Sequence, residues 1–349
     1  MSDARPISSE AELRALIPEP SSKVRLKILD TLERHSQHMI AMSSLVALSC
    51  SLDDAGPCVS LLTTRGLVVP QDARTLRVDD PEHRLRDAWA LTEGVQRGVG
   101  GLFMVGGIAE TLRLNGRATT RPSDAGVLIE VDEAFLQCPK AFVRSRLWDP
   151  ATWTSDLPGS LSSSSSSAAL TPSMMAFVER SPFAVVCTES ADGHGDISPR
   201  GDPAGLFVRC LDASTLLLPD RTGNHLVDTL RNILSRPRAT IVFVIPGAKE
   251  AIEVRARARI TADEQLLAAS AVKGKTPKVG ILLDVHDARL LPESLGEVWS
   301  AESLVEPKDF PTMGEMILDQ VNPGGRTLNK IGSKIFDLAS SYHKRRRLY

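Results

Sequence analysis

Two short stretches in the second half of the sequence combine basic, acidic and glycine residues in a pattern that suits anion binding. SPRGDPAG places Arg200 and Asp202 on either side of Gly201, and LLLPDRTGN ends an apolar run just before a helix-like stretch. Guanidinium groups and backbone N–H groups beside a helix start are donors that bind phosphate. From the residues alone, two polar hairpin turns whose Asp and Asn side chains cap the local backbone are an equal alternative. The candidate residues are Ser198, Arg200, Gly201, Asp202, Asp220, Arg221 and Asn224.

The composition favours a small-molecule partner. A length of 349 residues suits two domains of about 150 residues each. Because basic and acidic residues nearly balance, giving a net charge of −2, there is no electrostatic argument for binding nucleic acid. Apolar residues make up 42% and aromatic residues only 4%, so we expect cores of Val, Leu, Ile and Ala.

The cysteines and the N-terminus predict a cytoplasmic protein. The five cysteines are an odd number without a CxxC pair, and most lie in apolar runs, so we expect reduced thiols. We find neither a leader pattern nor the roughly 20 apolar residues of a membrane span. The histidines show no HxH or HExxH spacing, so we predict no metal site, and we name no catalytic acid or base.

The two halves of the chain resemble each other at a fixed spacing. DARTLRVDD (72–80) aligns without gaps with DASTLLLPD (212–220), and FMVGGIAETLRLNGRA (103–118) aligns with FVIPGAKEAIEVRARA (243–258). Both alignments have an offset of 140 residues, which predicts a tandem duplication.

The pattern of aliphatic runs and turn residues predicts about six strands and one or two short helices in each copy. The clearest predicted helix is NHLVDTLRNILSR (224–236). The helices are too few to cover two faces of a parallel sheet, so we predict a mainly β fold of small antiparallel barrels, closed or split. The predicted units are an N-terminal helical segment (1–43), copy one (44–153), a Ser-rich linker (154–173), copy two (174–305) and a C-terminal helical extension with a basic tail (306–349).

Taken together, several motifs resemble those of the pyridoxamine-5′-phosphate-oxidase-like flavoproteins, in particular an actinobacterial-type FMN-dependent subgroup. The motifs are SPRGDPAG, TLLLPDRTGN, LRNILSRP, FVIPG, ETLRLNGRA and CPKAFVRSRLWDP, and they cover most of both copies. The resemblance implies split β-barrels that dimerise and bind FMN at the subunit interface.

The motifs are divided between the copies in a complementary way. Copy two keeps the front motifs SPRGD, PDRTGN and NILSRP, whereas copy one has lost them and keeps the back motif QCPKAFVRSRLWDP (137–150). In a symmetric dimer of this kind, each site takes its front from one subunit and its back from the other. We therefore predict two tandem split barrels packed as an intrachain pseudo-dimer with one composite pocket.

The resemblance assigns roles to residues on both walls of that pocket. Ser198, Arg200 and Gly201 would meet the phosphate or the isoalloxazine edge, and Asp220, Arg221 and Asn224 would form the turn around the ribityl phosphate. His225 and Leu226 stand where the family usually has two basic residues, so Arg231 could replace a missing contact. The opposite wall would consist of Lys140, Arg144, Arg146 and Trp148.

Two of these assignments have structural alternatives. Trp148 is as often a core residue as a stacking platform. Arg144 and Arg146 could instead lie on a strand, where successive side chains point to opposite faces.

The leading functional hypothesis is an FMN-dependent oxidoreductase that acts on a small organic molecule. A deazaflavin could take the place of FMN, and a haem-binding or haem-degrading barrel, with His225 as the axial ligand, is the main alternative. A non-catalytic ligand-binding protein is the third reading. The segment AVKGKTPK (271–278) could cover the cavity, and association into homo-oligomers stays open.

Overall fold

Two antiparallel β-sheets, one from each half of the sequence, form the framework of the computed structural model. This confirms the predicted mainly β class. The structure describes residues 6–20, 28–121, 126–157, 161, 166–221, 223, 225–291, 294–322, 329 and 332–333.

The strands are numbered β1 to β15 along the described chain. The first sheet has the order β3-β2-β6-β7-β8-β5-β4, and the second has β10-β9-β13-β14-β15-β12-β11, with β1 added beside β14. The first-sheet strands are β2 (Leu45–Cys50), β3 (Cys58–Leu62), β4 (Val68–Pro70), β5 (Thr75–Val78), β6 (Arg97–Met104), β7 (Thr111–Thr120) and β8 (Val127–Gln137). The others are β1 (Pro6–Ile7), β9 (Phe183–Glu189), β10 (Gly195–Gly201), β11 (Arg209–Cys210), β12 (Thr215–Asp220), β13 (Arg238–Val244), β14 (Ala251–Thr261) and β15 (Val279–Leu290).

The two sheets repeat one topology, strand for strand. The repeat extends to an irregularity: β7 has a register shift between Asn115 and Gly116, and β14 has one between Arg255 and Ala256, 140 residues later. A bulge at the same place in both copies is a conserved feature of a fold rather than an accident of sequence. The 140-residue repeat in the sequence therefore corresponds to a repeat in structure.

Short helices lie between the strands. They are α1 (Glu10–Leu16), α2 (Arg34–Met42), α3 (Arg84–Ala88), α4 (Lys140–Ser145), α5 (Pro172–Arg180), α6 (Asp228–Ser235), α7 (Glu264–Ala268) and α8 (Met313–Val321). The predicted helix at 224–236 is observed as α6, which begins four residues later than expected. Residues Lys140–Ser145 form helix α4, so the alternative that placed Arg144 and Arg146 on a strand is not observed.

Each sheet has its own apolar core, and a third core joins the two sheets. In β2, Val46 and Leu48 pack in the first-half core, while Leu45 and Ala47 pack in the shared core. Because successive side chains of a strand point to opposite faces, such strands are apolar on both faces. The shared core also contains Phe183, Val185, Val242 and Val244 from the second half.

The backbones of the two halves approach closely beside β6 and β10. A Cβ placed on Gly195 would lie 2.8 Å from the carbonyl carbon of Val99, and one on Gly100 would lie 3.0 Å from the backbone nitrogen of Ile197. Only glycine permits such an approach, so these positions fix how the halves fit together.

The connecting segments differ in part from the predicted units. Within the predicted linker 154–173, Ser167 bridges to Ala288, and Leu170 is buried in the second core. The N-terminal segment contains the predicted helices, but its first described residues form β1 on the second sheet. The basic tail lies outside the described residues.

Candidate functional site

A cavity of about 740 Å³ lies between the two halves, within the range typical of small-molecule sites. Segments from three parts of the chain line it. The second half contributes residues 198–201 of β10, Phe207, parts of 219–229 after β12, and the loop 275–279; the first half contributes Arg113 and parts of 137–144; the N-terminal segment contributes 16–18.

The front wall is an edge strand rather than a loop. Ser198, Arg200 and Gly201 lie on β10, which pairs with β9 on one side. All three line the cavity. A Cβ on Gly201 would lie 3.0 Å from the carbonyl carbon of Ala141 and closer still to its oxygen, so α4 packs directly on the end of this strand.

Ion pairs hold the two arginines of the front wall. Arg200 Nη1 donates to Asp220 Oδ1 at 2.5 Å, and Arg221 Nε pairs with Asp202, whose side chain is fully buried. Arg200, Asp220 and Arg221 line the cavity, whereas Asp202 supports Arg221 from behind. Asn224 lies outside the described residues.

The back wall contains only part of the predicted set. Lys140 and the buried Arg144, both on α4, line the cavity. The chain leaves α4 through Arg146, which has a left-handed backbone (φ 53°) and an exposed side chain that bonds Asp149 at 3.0 Å. Arg146 therefore does not line the cavity.

Trp148 also lies away from the cavity wall. It is buried in the shared core and packs against Trp299, with 5.7 Å between ring centroids. The alternative reading of Trp148 as a core residue thus describes its position, and a stacking role toward a ligand in the main cavity does not follow.

Arg231 does not replace the missing basic contact in this cavity. It lines a neighbouring cavity of about 500 Å³, where Nη2 donates to Asp228 at 2.7 Å and Nη1 lies 3.9 Å from Glu10. His225, by contrast, lines the main cavity.

Sequence reasoning missed several lining residues. Arg113 on β7 is 3% exposed and forms an ion pair with Asp196 of β10, across the boundary between the halves. Burial lowers the pKa of this guanidinium from its usual value, against the opposing effect of Asp228. A charged residue inside a strand buried on both faces was a usable signal, because buried charges are rare unless they are paired or functional.

The described lining is strongly basic. Its two acidic members are Asp220 and Asp228, and the loop 275–279 adds two lysines at the rim, of which Lys278 donates to Leu16 O at 3.2 Å. Such a surface attracts an anion, and more so where water is restricted. The basic members are Arg113, Lys140, Arg144, Arg200, Arg221, Lys275 and Lys278.

Other site types find little support in the described part of the chain. No group of three or more potential metal ligands occurs there. Nor does any helix there have the length and apolarity that crossing a bilayer requires. All five cysteines are free thiols, and Cys138 alone among them lines the cavity.

Comparison with known families bears on the second half. A family model described as pyridoxamine 5′-phosphate oxidase matches residues 170–291. Residues 170–291 are thus similar in sequence to that family. The resemblance predicted from the motifs is thereby confirmed. No curated protein matches the chain.

The solved structures that the chain matches are distant from it in sequence. HupZ from Group A Streptococcus is 19% identical, over 36% of this chain and 97% of that one, with a TM-score of 0.29. A putative pyridoxamine 5′-phosphate oxidase from Lactobacillus delbrueckii is 20% identical, over 35% and 94%, with a TM-score of 0.29. An F420 reductase is 16% identical, over 33% and 93%, with a TM-score of 0.25.

Proposed function

We propose that this protein is an FMN-dependent oxidoreductase that acts on a small organic molecule. In this proposal, the units 44–153 and 174–305 form an intrachain pseudo-dimer with one cofactor site. The observation that carries it is the cavity itself, because the front segment of one half and the back segment of the other line the same space. The family match of residues 170–291 supports the choice of a flavin.

The residues present fit FMN at both of its ends. A phosphate needs several cationic donors, and the basic side chains of both walls supply them. The ring needs apolar surface, which Phe207, Leu226 and Val227 offer. The ring's polar edge needs hydrogen-bonding atoms, and three wall atoms that make no hydrogen bond suit it: Arg113 Nε, Arg200 Nε and Gln137 Oε1.

The chain's own residues would bind, orient and shield the cofactor. Asp220 and Asp202 hold Arg200 and Arg221 in fixed positions, so little side-chain freedom is lost when a ligand binds. The 16–18 and 275–279 segments would limit the access of water. FMN, when bound, supplies the reversible acceptance of electrons or hydride, which these side chains cannot perform.

The first test is titration of the purified full-length chain with FMN, followed by absorbance and fluorescence. We expect a yellow protein that binds one FMN per chain. A colourless protein that ignores added FMN would refute the proposal, and two FMN per chain would refute the composite site. A Soret band on adding haem, lost in His225→Ala, would favour the haem alternative. Bound FMN that no electron donor reduces would indicate a binding protein.

The second test compares the two walls. Arg200→Ala in the second half and Lys140→Ala in the first should each weaken FMN binding by about tenfold or more, since a charge-assisted hydrogen bond contributes about 1.5–3 kcal/mol. Arg146→Ala is the matched control, because Arg146 carries the same charge on the α4 side but lies off the cavity. Equal binding by all three variants would contradict the assignment of the walls.

A further inference from the structure

Arg113 is the most deeply buried cation of the cavity wall. Its guanidinium pairs with Asp196 through Nη2, lies 3.6 Å from Asp228 Oδ2, and sits 5.1 Å from the ring centroid of Phe135. Asp196 also accepts hydrogen bonds from the hydroxyls of Thr188 (3.2 Å) and Thr229 (3.0 Å). Residues of the second half therefore fix a first-half arginine in one position.

Three buried polar atoms of the cavity wall make no hydrogen bond in the described structure. They are Arg113 Nε, Arg200 Nε and Gln137 Oε1. All three residues line the same cavity. A buried polar atom without a partner costs about 1–3 kcal/mol, so such atoms call for a physical reason. Three of them in one cavity indicate a ligand that completes the set.

The set consists of two N–H donors and one carbonyl acceptor. A phosphate dianion could accept from the arginines but has no proton to donate to Gln137 Oε1. An imide, C(=O)–NH–C(=O), offers two acceptors and one donor, the inverse of this set. The pyrimidine ring of an isoalloxazine or deazaflavin carries such an edge, whereas a porphyrin does not.

We propose that Arg113, Arg200 and Gln137 form a recognition site for the imide edge of a flavin-type ring, with Gln137 Oε1 accepting from its N–H. This deepens the proposed function and depends on it. The phosphate would then be bound elsewhere in the cavity, where Lys140 and Arg144 lie.

The test compares FMN with N3-methyl-FMN, in which a methyl group replaces the imide proton. The wild-type chain should bind the methylated compound about tenfold more weakly or worse, because Gln137 Oε1 is left without a donor. Gln137→Leu should weaken FMN binding, and in this variant methylation should cost far less. Arg117→Met, on the same strand as Arg113 but outside the cavity lining, is the control and should show the full wild-type cost of methylation.

The outcomes separate this proposal from the proposed function. If FMN itself does not bind, the proposed function fails. If FMN binds and methylation has no effect, or has the same effect in Gln137→Leu as in wild type, the imide site is refuted.

A companion variant tests Arg113 without leaving a buried carboxylate uncompensated. Arg113→Met combined with Asp196→Asn removes both charges, and thermal unfolding checks that it folds. This pair should lose affinity for riboflavin and FMN by the same factor, whereas Lys140→Ala should weaken FMN alone. Unchanged affinity for both ligands in the folded double variant would overturn the role of Arg113.

Discussion

The close approach of the two halves gives the sharpest structural prediction, at Gly98 of β6. A Cβ there would lie 2.7 Å from the backbone nitrogen of Gly195 and 2.9 Å from Cα of His194, and closer still to the carbonyl oxygen of Gly193. Because carbon contacts are best at about 3.5–4.0 Å, an alanine methyl needs the two backbones to separate by roughly 1 Å. The neighbouring atoms belong to backbone, so no side-chain rotation relieves the clash.

We expect Gly98→Ala to lower the free energy of unfolding by about 1–3 kcal/mol, the usual cost of overpacking, or by somewhat more. The variant should also bind FMN more weakly, because β10 carries Ser198 and Arg200 to the cavity and would be displaced with the Gly193–Gly195 turn. Urea unfolding followed by circular dichroism measures the first effect, and FMN titration measures the second.

Gly66→Ala is the control for this experiment. Gly66 has a left-handed backbone (φ +84°) and no atom within 4 Å of its would-be Cβ. Its substitution should cost only the conformational strain of about 1–2 kcal/mol and leave ligand binding unchanged. If Gly98→Ala matched wild type in stability within about 0.5 kcal/mol and in FMN affinity, the described contact between the halves would be wrong.

Three further predictions follow from single sites. Cys138 lines the cavity and is partly exposed, so iodoacetamide should label it before the buried cysteines, and saturating FMN should slow that labelling in peptide mass spectra; equal rates would contradict its placement. Gly201→Ala should push α4 from β10 and reduce FMN affinity in titrations, and unchanged affinity would argue against that contact. The Ser190 hydroxyl and His194 lower the pKa of Asp192 to about 2. Its stabilising contribution is therefore present above about pH 4 and lost toward pH 2, so urea midpoints of Asp192→Asn should fall less over that range than those of wild type.

Periodicity predicted the framework well because strands and repeats leave local signals. The alternation of apolar residues located the strands, and the 140-residue offset located the repeat, including residues that become the paired bulges at Gly116 and Ala256. The front wall was also accessible from sequence, since Arg200, Asp220 and Arg221 lie at a strand end and a turn that the motifs mark.

The back wall was harder to predict because its geometry depends on a local choice of conformation. The family resemblance placed Arg144, Arg146 and Trp148 on one wall. In the structure α4 ends at Ser145, and the left-handed residue Arg146 turns the chain, which sends Trp148 into the shared core. No periodic signal in six residues distinguishes these outcomes.

The partners of Arg113 could not be predicted because they are far away in the sequence. Its ion pair joins β7 to β10 over 83 positions, and the pairing exists only once the two halves are packed together. The sequence repeat does not indicate the role of Arg113 either, because the aligned residue of the other copy has a different side chain. Arg113 corresponds to Glu253, 140 residues later.

That difference argues for a single anion site. The strand registers show which residues correspond. In the first sheet, Val46 pairs with Phe103 and Leu62, and in the second sheet, Ala184 pairs with Phe243 and Arg200. Leu62 therefore occupies the position in the first sheet that Arg200 occupies in the second. By the same register, Cys58 corresponds to Asp196.

The ion pair of Arg113 with Asp196 is thus replaced at the equivalent position by a carboxylate beside a thiol. Glu253 is fully buried there and accepts from Arg255 at 2.9 Å and from Arg289 at 3.0 Å, so its own neighbours neutralise it. An anion entering at that position would meet Leu62 instead of an arginine, and a buried carboxylate instead of a cation. The equivalent position therefore lacks counterparts of both Arg113 and Arg200, which supports the proposal of one phosphate-binding pocket rather than two.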